Sequence, residues 1–137
     1  MPERDIVFDK LDTPSQIFKL KEHLRELYRL LDNRMITVTR AATIVLDADE
    51  GELFYIELDD NITTVTLKHP SRARTMTIIF KQDGVGAHTV TGFGADVMLA
   101  GDAFSVTADA SRYTTLTLAY EDENSKWVEI GRTSDVY

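Results

Sequence analysis

The spacing of apolar residues changes period near residue 34. Before that point Ile17, Leu20, Leu24, Leu27 and Leu31 recur at steps of three, four, three and four. This is a heptad seam, with Ile17, Leu24 and Leu31 at one core position and Leu20 and Leu27 at the other. Tyr28 and Leu30 flank the seam and widen it, while Lys19, Glu22, Arg25, Glu26 and Arg29 lie on the other side. Thr13 suits a cap, Pro14 suits the first helical position, and Gln16 completes a capping box. Asp32-Asn33-Arg34 ends the run. The spacing predicts a helix over 14–33. A helix with two heptads is marginal alone in water, so this one must pack against something. It either lies on its own β domain as an ordinary amphipathic helix or associates with copies of itself.

From Ile36 onward the period becomes two, the mark of strands with one buried face. The expected strands are Ile36–Thr39, Thr43–Leu46, Leu53–Leu58, Ile62–Leu67, Thr75–Gln82, His88–Thr91, Phe104–Val106, Thr114–Tyr120 and Trp127–Ile130, with Val97–Leu99 as a shorter candidate. Turn residues separate them at 47–51, 59–61, 69–71, 101–102 and 121–125. Many short strands at this spacing predict a mainly β domain: an antiparallel β-sandwich or jelly-roll-like barrel behind one short helix. The expected organisation is a tether over 1–13, the helix over 14–33 and the β domain over 34–137. Threonine is frequent in the strands, where its branched side chain fits a pleated surface and keeps an outer face in contact with water.

The stretch Thr75–Phe93 carries the strongest local signal. Met76, Ile78 and Phe80 alternate with Thr75, Thr77 and Lys81; then come Gln82, Asp83, Gly84, Val85 and Gly86; then His88-Thr89-Val90-Thr91 resumes the extended pattern. The expectation is a hairpin whose two strands pair antiparallel. Gly84 and Gly86 are expected at positive φ, and Asp83 is expected to bond its own turn backbone.

Candidate chemistry changes this picture little. Cysteine is absent, which excludes disulfides, thiolate catalysis and cysteine-based zinc sites. The net charge of −8, from 23 acidic and 15 basic residues, argues against nucleic acid as a partner and serves solubility. MPERDIVFDK lacks an apolar run of signal-peptide length, and no stretch suits a membrane span. His23, His69 and His88 show no metal-ligand spacing. The glycines at 84, 86, 92 and 94 follow a strand but precede another strand, so a turn explains them better than a phosphate loop. Asp47, Asp49, Glu50 and Glu52 offer oxygen ligands to a calcium ion, yet lack the full loop pattern, and a solvated turn is the simpler account. No catalytic residue, cofactor or metal is expected. Tyr55, Phe93, Tyr113, Tyr120, Trp127 and Tyr137 are the rings that would face a sugar or a protein, with Trp127 better suited to a core or subunit interface.

The order of these segments resembles that of bacteriophage fibre proteins. The resemblance rests on the apolar strand, Gln82-Asp83-Gly84, a small residue, Gly86, then Thr89-Val90-Thr91. A Thr-rich strand precedes it at 62–67, a Thr/Leu/Tyr strand follows at 114–120, and a Trp strand closes it at 127–130. It covers roughly residues 36–132. A Trp-Pro pair often follows the hairpin in such proteins; this chain has Gly92-Phe93-Gly94 there. The resemblance implies a homotrimer, with the helix as a trimeric coiled coil, acting as a head fibre, capsid decoration or short tail-fibre element in the virion. It implies other virion proteins as partners, met through the N-terminal segment. The rival reading is a receptor- or carbohydrate-binding module with a host-surface glycan as its partner.

Overall fold

The computed structural model describes residues 14–31 and 35–137, and for 25–31 and 102 the backbone alone. The expected tether, the Thr13 cap, the helix end at 32–34 and the side chains of Leu27 and Leu31 lie outside the described residues. The chain divides into two units, Met1–Asn33 and Arg34–Tyr137.

In the first unit, helix α1 spans Pro14–Leu31. Proline fits its first turn because the N–H it lacks would have had no intrahelical partner. Ile17 and Leu24 are each 40% exposed, Phe18 is more so, and Leu20 is half-buried.

The described residues of the second unit form eight strands: β1 (Met35–Val38), β2 (Thr43–Asp47), β3 (Leu53–Leu58), β4 (Thr64–Lys68), β5 (Thr75–Gln82), β6 (Val97–Met98), β7 (Tyr113–Glu121) and β8 (Lys126–Val136). One sheet has the order β1-β3-β5-β7-β8-β6, and a second contains β2 and β4. The chain leaves the large sheet after β1, crosses to the small sheet as β2, and returns as β3. It repeats the crossing as β4 and the return as β5. After β5 it crosses again, where Val90 and Phe93 form parallel bridges to Ile62 and Val65. Successive windings are therefore in parallel register: Met35 with Leu53, Leu53 with Thr77, Thr43 with Thr64. The last two long strands close the large sheet in antiparallel fashion, β7 on β5 and β8 on β7, while β6 joins β8 in parallel.

The mainly β character and, among the described residues, the one short α-helix agree with the patterning. The antiparallel expectation does not hold: β1–β3, β3–β5, β2–β4 and β6–β8 are parallel, and only β5–β7 and β7–β8 are antiparallel. Period two records which face is buried and not which way a strand runs. Parallel neighbours need a crossover. Here the crossover is a strand in the opposite layer, so short turns suffice. His88–Thr91 and Phe104–Val106 are likewise not ladder strands; they pass over the core as irregular chain, apart from the bridge at Val90.

The inward residues of both layers make one core. Phe54, Ile56 and Leu58 meet Met76, Ile78 and Phe80, then Leu116, Leu118 and Trp127, across from Ile44, Leu46, Val65 and Leu67. Phe104 bridges two rings, with its centroid 5.7 Å from Phe80 and 5.7 Å from Phe93. Tyr120 packs against Trp127 at 5.2 Å. Truncating one of the large fully buried side chains to alanine should cost about 3 kcal/mol.

Candidate functional site

The family-motif turn begins with a side chain in an unexpected place. Alternation along β5 points Met76, Ile78, Phe80 and Gln82 inward, so the glutamine occupies a core position and is 1% exposed. A buried amide must find partners, and it does. Gln82 Nε2 donates to the carbonyl oxygens of His88 and Thr107, 2.7 Å each, and Oε1 accepts from the His88 N–H at 3.2 Å. The amide thus satisfies backbone groups of two irregular segments that have no ladder partner there.

Asp83 organises the next residues. Its Oδ1 accepts the N–H groups of Val85 and Gly86, each at 3.0 Å, and lies 3.1 Å from His88 Nε2. These bonds, led by the one from Gly86, hold its carboxyl below the usual aspartate range. The Asp83 N–H donates to Leu58 O at 3.1 Å, and Ser111 N–H donates to Asp83 O at 2.9 Å. The Ala87 N–H donates to Ala108 O at 2.8 Å. The expected bonding of Asp83 to its own turn is present. The expected pairing of Thr75–Gln82 with His88–Thr91 is not: this turn sends the chain across to the small layer, where Ile62 donates its N–H to Thr89 O at 2.8 Å and Thr91 donates to Ile62 O at 2.9 Å.

The glycines divide unequally. Gly86 has φ +80°, and a Cβ there would sit 2.7 Å from Ala108 O. Gly84 does not lie at positive φ, and a Cβ there would meet open space, which corrects the expectation that both need left-handed geometry. The demanding position missed in the sequence is Gly92. Its φ is +79°, and a Cβ would sit 1.9 Å from Thr63 O, where two windings approach backbone to backbone. The Gly-Phe-Gly triplet was the available signal. Val85, at the tip of the turn, is 81% exposed.

The other candidates resolve as follows. On the helix, Ile17 and Leu24 expose part of the seam, Leu20 is half-buried, and the side chains of Leu27 and Leu31 are not described. The acidic loop is occupied as a turn: Asp47 Oδ1 accepts the Asp49 N–H at 2.9 Å, Asp49 Oδ1 accepts from Ser71 N and Oγ at 3.4 Å, and Arg74 lies 3.8 Å away. His69 Nε2 is 2.7 Å from Asp96 Oδ2, and its ring packs 5.3 Å from Tyr120. Among the described residues no three His, Asp or Glu side chains converge as a metal site. No described helix is long and apolar enough to cross a membrane. Trp127 and Tyr120 are core residues, so they do not offer rings to a sugar. Tyr137 lies over the Arg112 guanidinium at 3.5 Å.

The body is a wound two-layer β fold, preceded in sequence by a short amphipathic helix. Residues 34–125 match the family described as "Putative phage tail fibre C-terminal domain", and the chain belongs to that family. The match starts at the boundary between the two units and ends just before β8. No curated protein matches the chain. The chain is accordingly a bacteriophage fibre protein, virion-associated and structural in kind.

Proposed function

We propose that the chain is a homotrimeric tail-fibre element of a bacteriophage virion, trimerised through a coiled coil of α1 and attached to other virion proteins through residues 1–13. The seam Ile17, Leu20, Leu24, Leu27 and Leu31 is the assembly element, and 14–33 and 34–137 are the coiled-coil and body segments. Gln82, Asp83, Gly84 and Gly86 serve the fold of the body, with no catalytic role and no cofactor. The observation that carries the reading is the partly exposed apolar seam of α1, with Ile17 and Leu24 each 40% exposed, joined to a body of the tail-fibre family. Two heptads do not hold a trimer alone, so contacts between bodies contribute as well.

Light scattering of the pure chain should give three chain masses of 15.5 kDa each. In the Leu24→Asp variant a carboxylate would be buried at the seam of three helices, and the mass should fall to that of one chain while the body melts as before. A monomeric wild-type protein at micromolar concentration would overturn the reading. A Leu24→Asp variant that stays trimeric would remove the helix from it.

A further inference from the structure

The outer face of the large sheet is unusual for a surface that meets water. One row across it reads Thr37, Tyr55, Ile79, Thr115 and Thr133, on β1, β3, β5, β7 and β8. The next reads Met35, Leu53, Thr77 and Thr117, ending at Gly131. Beyond these, Ala119, Val128 and Met98 lie side by side. Met35, Met98 and Val128 are 48%, 51% and 38% exposed. Six strands make a surface about 24 Å wide.

Several of its polar groups already hold one another. The Thr77 and Thr117 hydroxyls are 3.1 Å apart and those of Thr115 and Thr133 are 2.6 Å apart. Tyr55 donates to Glu57 at 3.5 Å, and Lys81 Nζ lies 5.7 Å over the Tyr113 ring. Burial would leave the two threonine pairs and the Tyr55 hydroxyl with their partners, and would cover threonine methyls and aliphatic side chains. The charges on the face cancel. Glu57 is in register with Lys81, and Glu121 with Lys126, in a chain whose net charge is −8.

We propose that this face is buried against further copies of the same chain, as a contact between bodies separate from the α1 seam; the inference rests on the homotrimer reading above. The occupant follows from charge. Copies carrying −8 repel over acidic surfaces, and this face lets them meet with no net charge brought together. A strongly charged partner would find no complement here, whereas the balanced Glu57–Lys81 pair suits an identical face. Around a three-fold axis, three such faces meet with each touching two neighbours, the apolar rows inward and the charged ends toward water.

The test uses the full chain, which has no cysteine of its own. Ala119→Cys places a thiol on the face, Thr75→Cys is a second position on it, and Val85→Cys is an exposed reference on the motif turn. Each variant is labelled with a maleimide at micromolar concentration while its mass is read by light scattering. The expected result is a trimer in which both face positions label about tenfold more slowly than in the same variant diluted to monomer, while the reference labels at the same rate in both. A trimer whose face positions label as fast as in the diluted monomer would overturn the inference and leave the trimer standing. A monomer with a reactive face would overturn both. A monomer with a protected face would mean that the chain's own segment covers it, which also overturns the inference. A dimer with a protected face would uphold the contact and overturn the three-fold arrangement.

Discussion

The windings β1–β5 and the closing strand β8 are held by different forces. Along the windings, alternate residues are buried hydrocarbon: Phe54, Ile56, Leu58, Met76, Ile78 and Phe80 are at most 1% exposed. Past Trp127, β8 stays on the β7 ladder but buries little, and polar side chains add to the hold. Arg132 donates to both Glu129 oxygens at 2.6 Å and to the carbonyls of Ala100 and Ala103 at 3.1 and 2.9 Å. Arg112 donates to Asp135 at 3.1 Å, and Thr107 donates to the same carboxylate at 3.2 Å. Burial is indifferent to pH and charge pairing is not, so the buried ladder of the windings is pH-insensitive, while β8 and the Asp83 turn after β5 respond to acid.

The comparison breaks most severely at Gly92. Gly92→Val would drive a branched side chain into the Thr63 backbone from a left-handed φ, at a cost of more than about 3 kcal/mol. Urea unfolding should show the body lost or nearly so, and a stable variant would mean that the windings are not so closely stacked. Gln82→Leu comes next. It keeps volume but leaves His88 N–H and the carbonyls of His88 and Thr107 without their partner, and should cost about 2–4 kcal/mol in the same measurement.

Third is the closing strand. Arg132→Ala should cost about 1–2 kcal/mol at neutral pH and should loosen β8 before the windings, as read by hydrogen exchange of the β8 amides. Acid should act at two places, on β8 through Glu129 and at the turn after β5 through Asp83. Hydrogen bonding from Arg132 holds Glu129 below its ordinary value of 4.5, and Asp83 lies below 3.8 for the reasons given above. Carboxyls lowered in the fold stabilise it fully above their unfolded values and lose that contribution as pH falls through the folded ones. Melting temperature should therefore stay level down to about pH 5 and drop below it, with a shallower drop in Arg132→Ala. The smallest effect belongs to Gly84→Ala, whose new methyl enters open space and should change stability by no more than about 0.5 kcal/mol. Equal losses in Gly84→Ala and Gly86→Ala would mean that the turn has been misassigned.

What the chain states openly is burial. The alternation in 43–47, 53–58, 75–82 and 113–121 places the core residues and strands correctly, because the side-chain period survives any arrangement of strands. Strand direction was not legible: Asp83-Gly84-Val85-Gly86 looks alike whether the chain folds back beside β5 or crosses to the other layer. Gln82 closes the strand as expected, and its parity along β5 puts it inside; the sequence did not show that its amide would serve the backbone of His88 and Thr107, residues met only in the fold. Gly92 hid for a related reason, since its requirement comes from Thr63, a residue distant in sequence. The heptad seam was plain, but a seam does not name what covers it.

The mixed order of the large sheet has a consequence for synthesis. As the chain leaves the ribosome, β1, β3 and β5 can pair in turn, each winding laid on the one before it. Then the process must wait. The open edge of β5 belongs to β7, and Thr77 meets a residue 40 positions later, at Thr117. Until that segment emerges, β5 presents a row of unpaired backbone groups beside fresh apolar surface, the kind of edge that joins wrong neighbours. Copies of the chain growing side by side on one message meet this hazard at high local concentration. Translation speed through residues 83–112 should then govern the yield of soluble protein more than the final stability does.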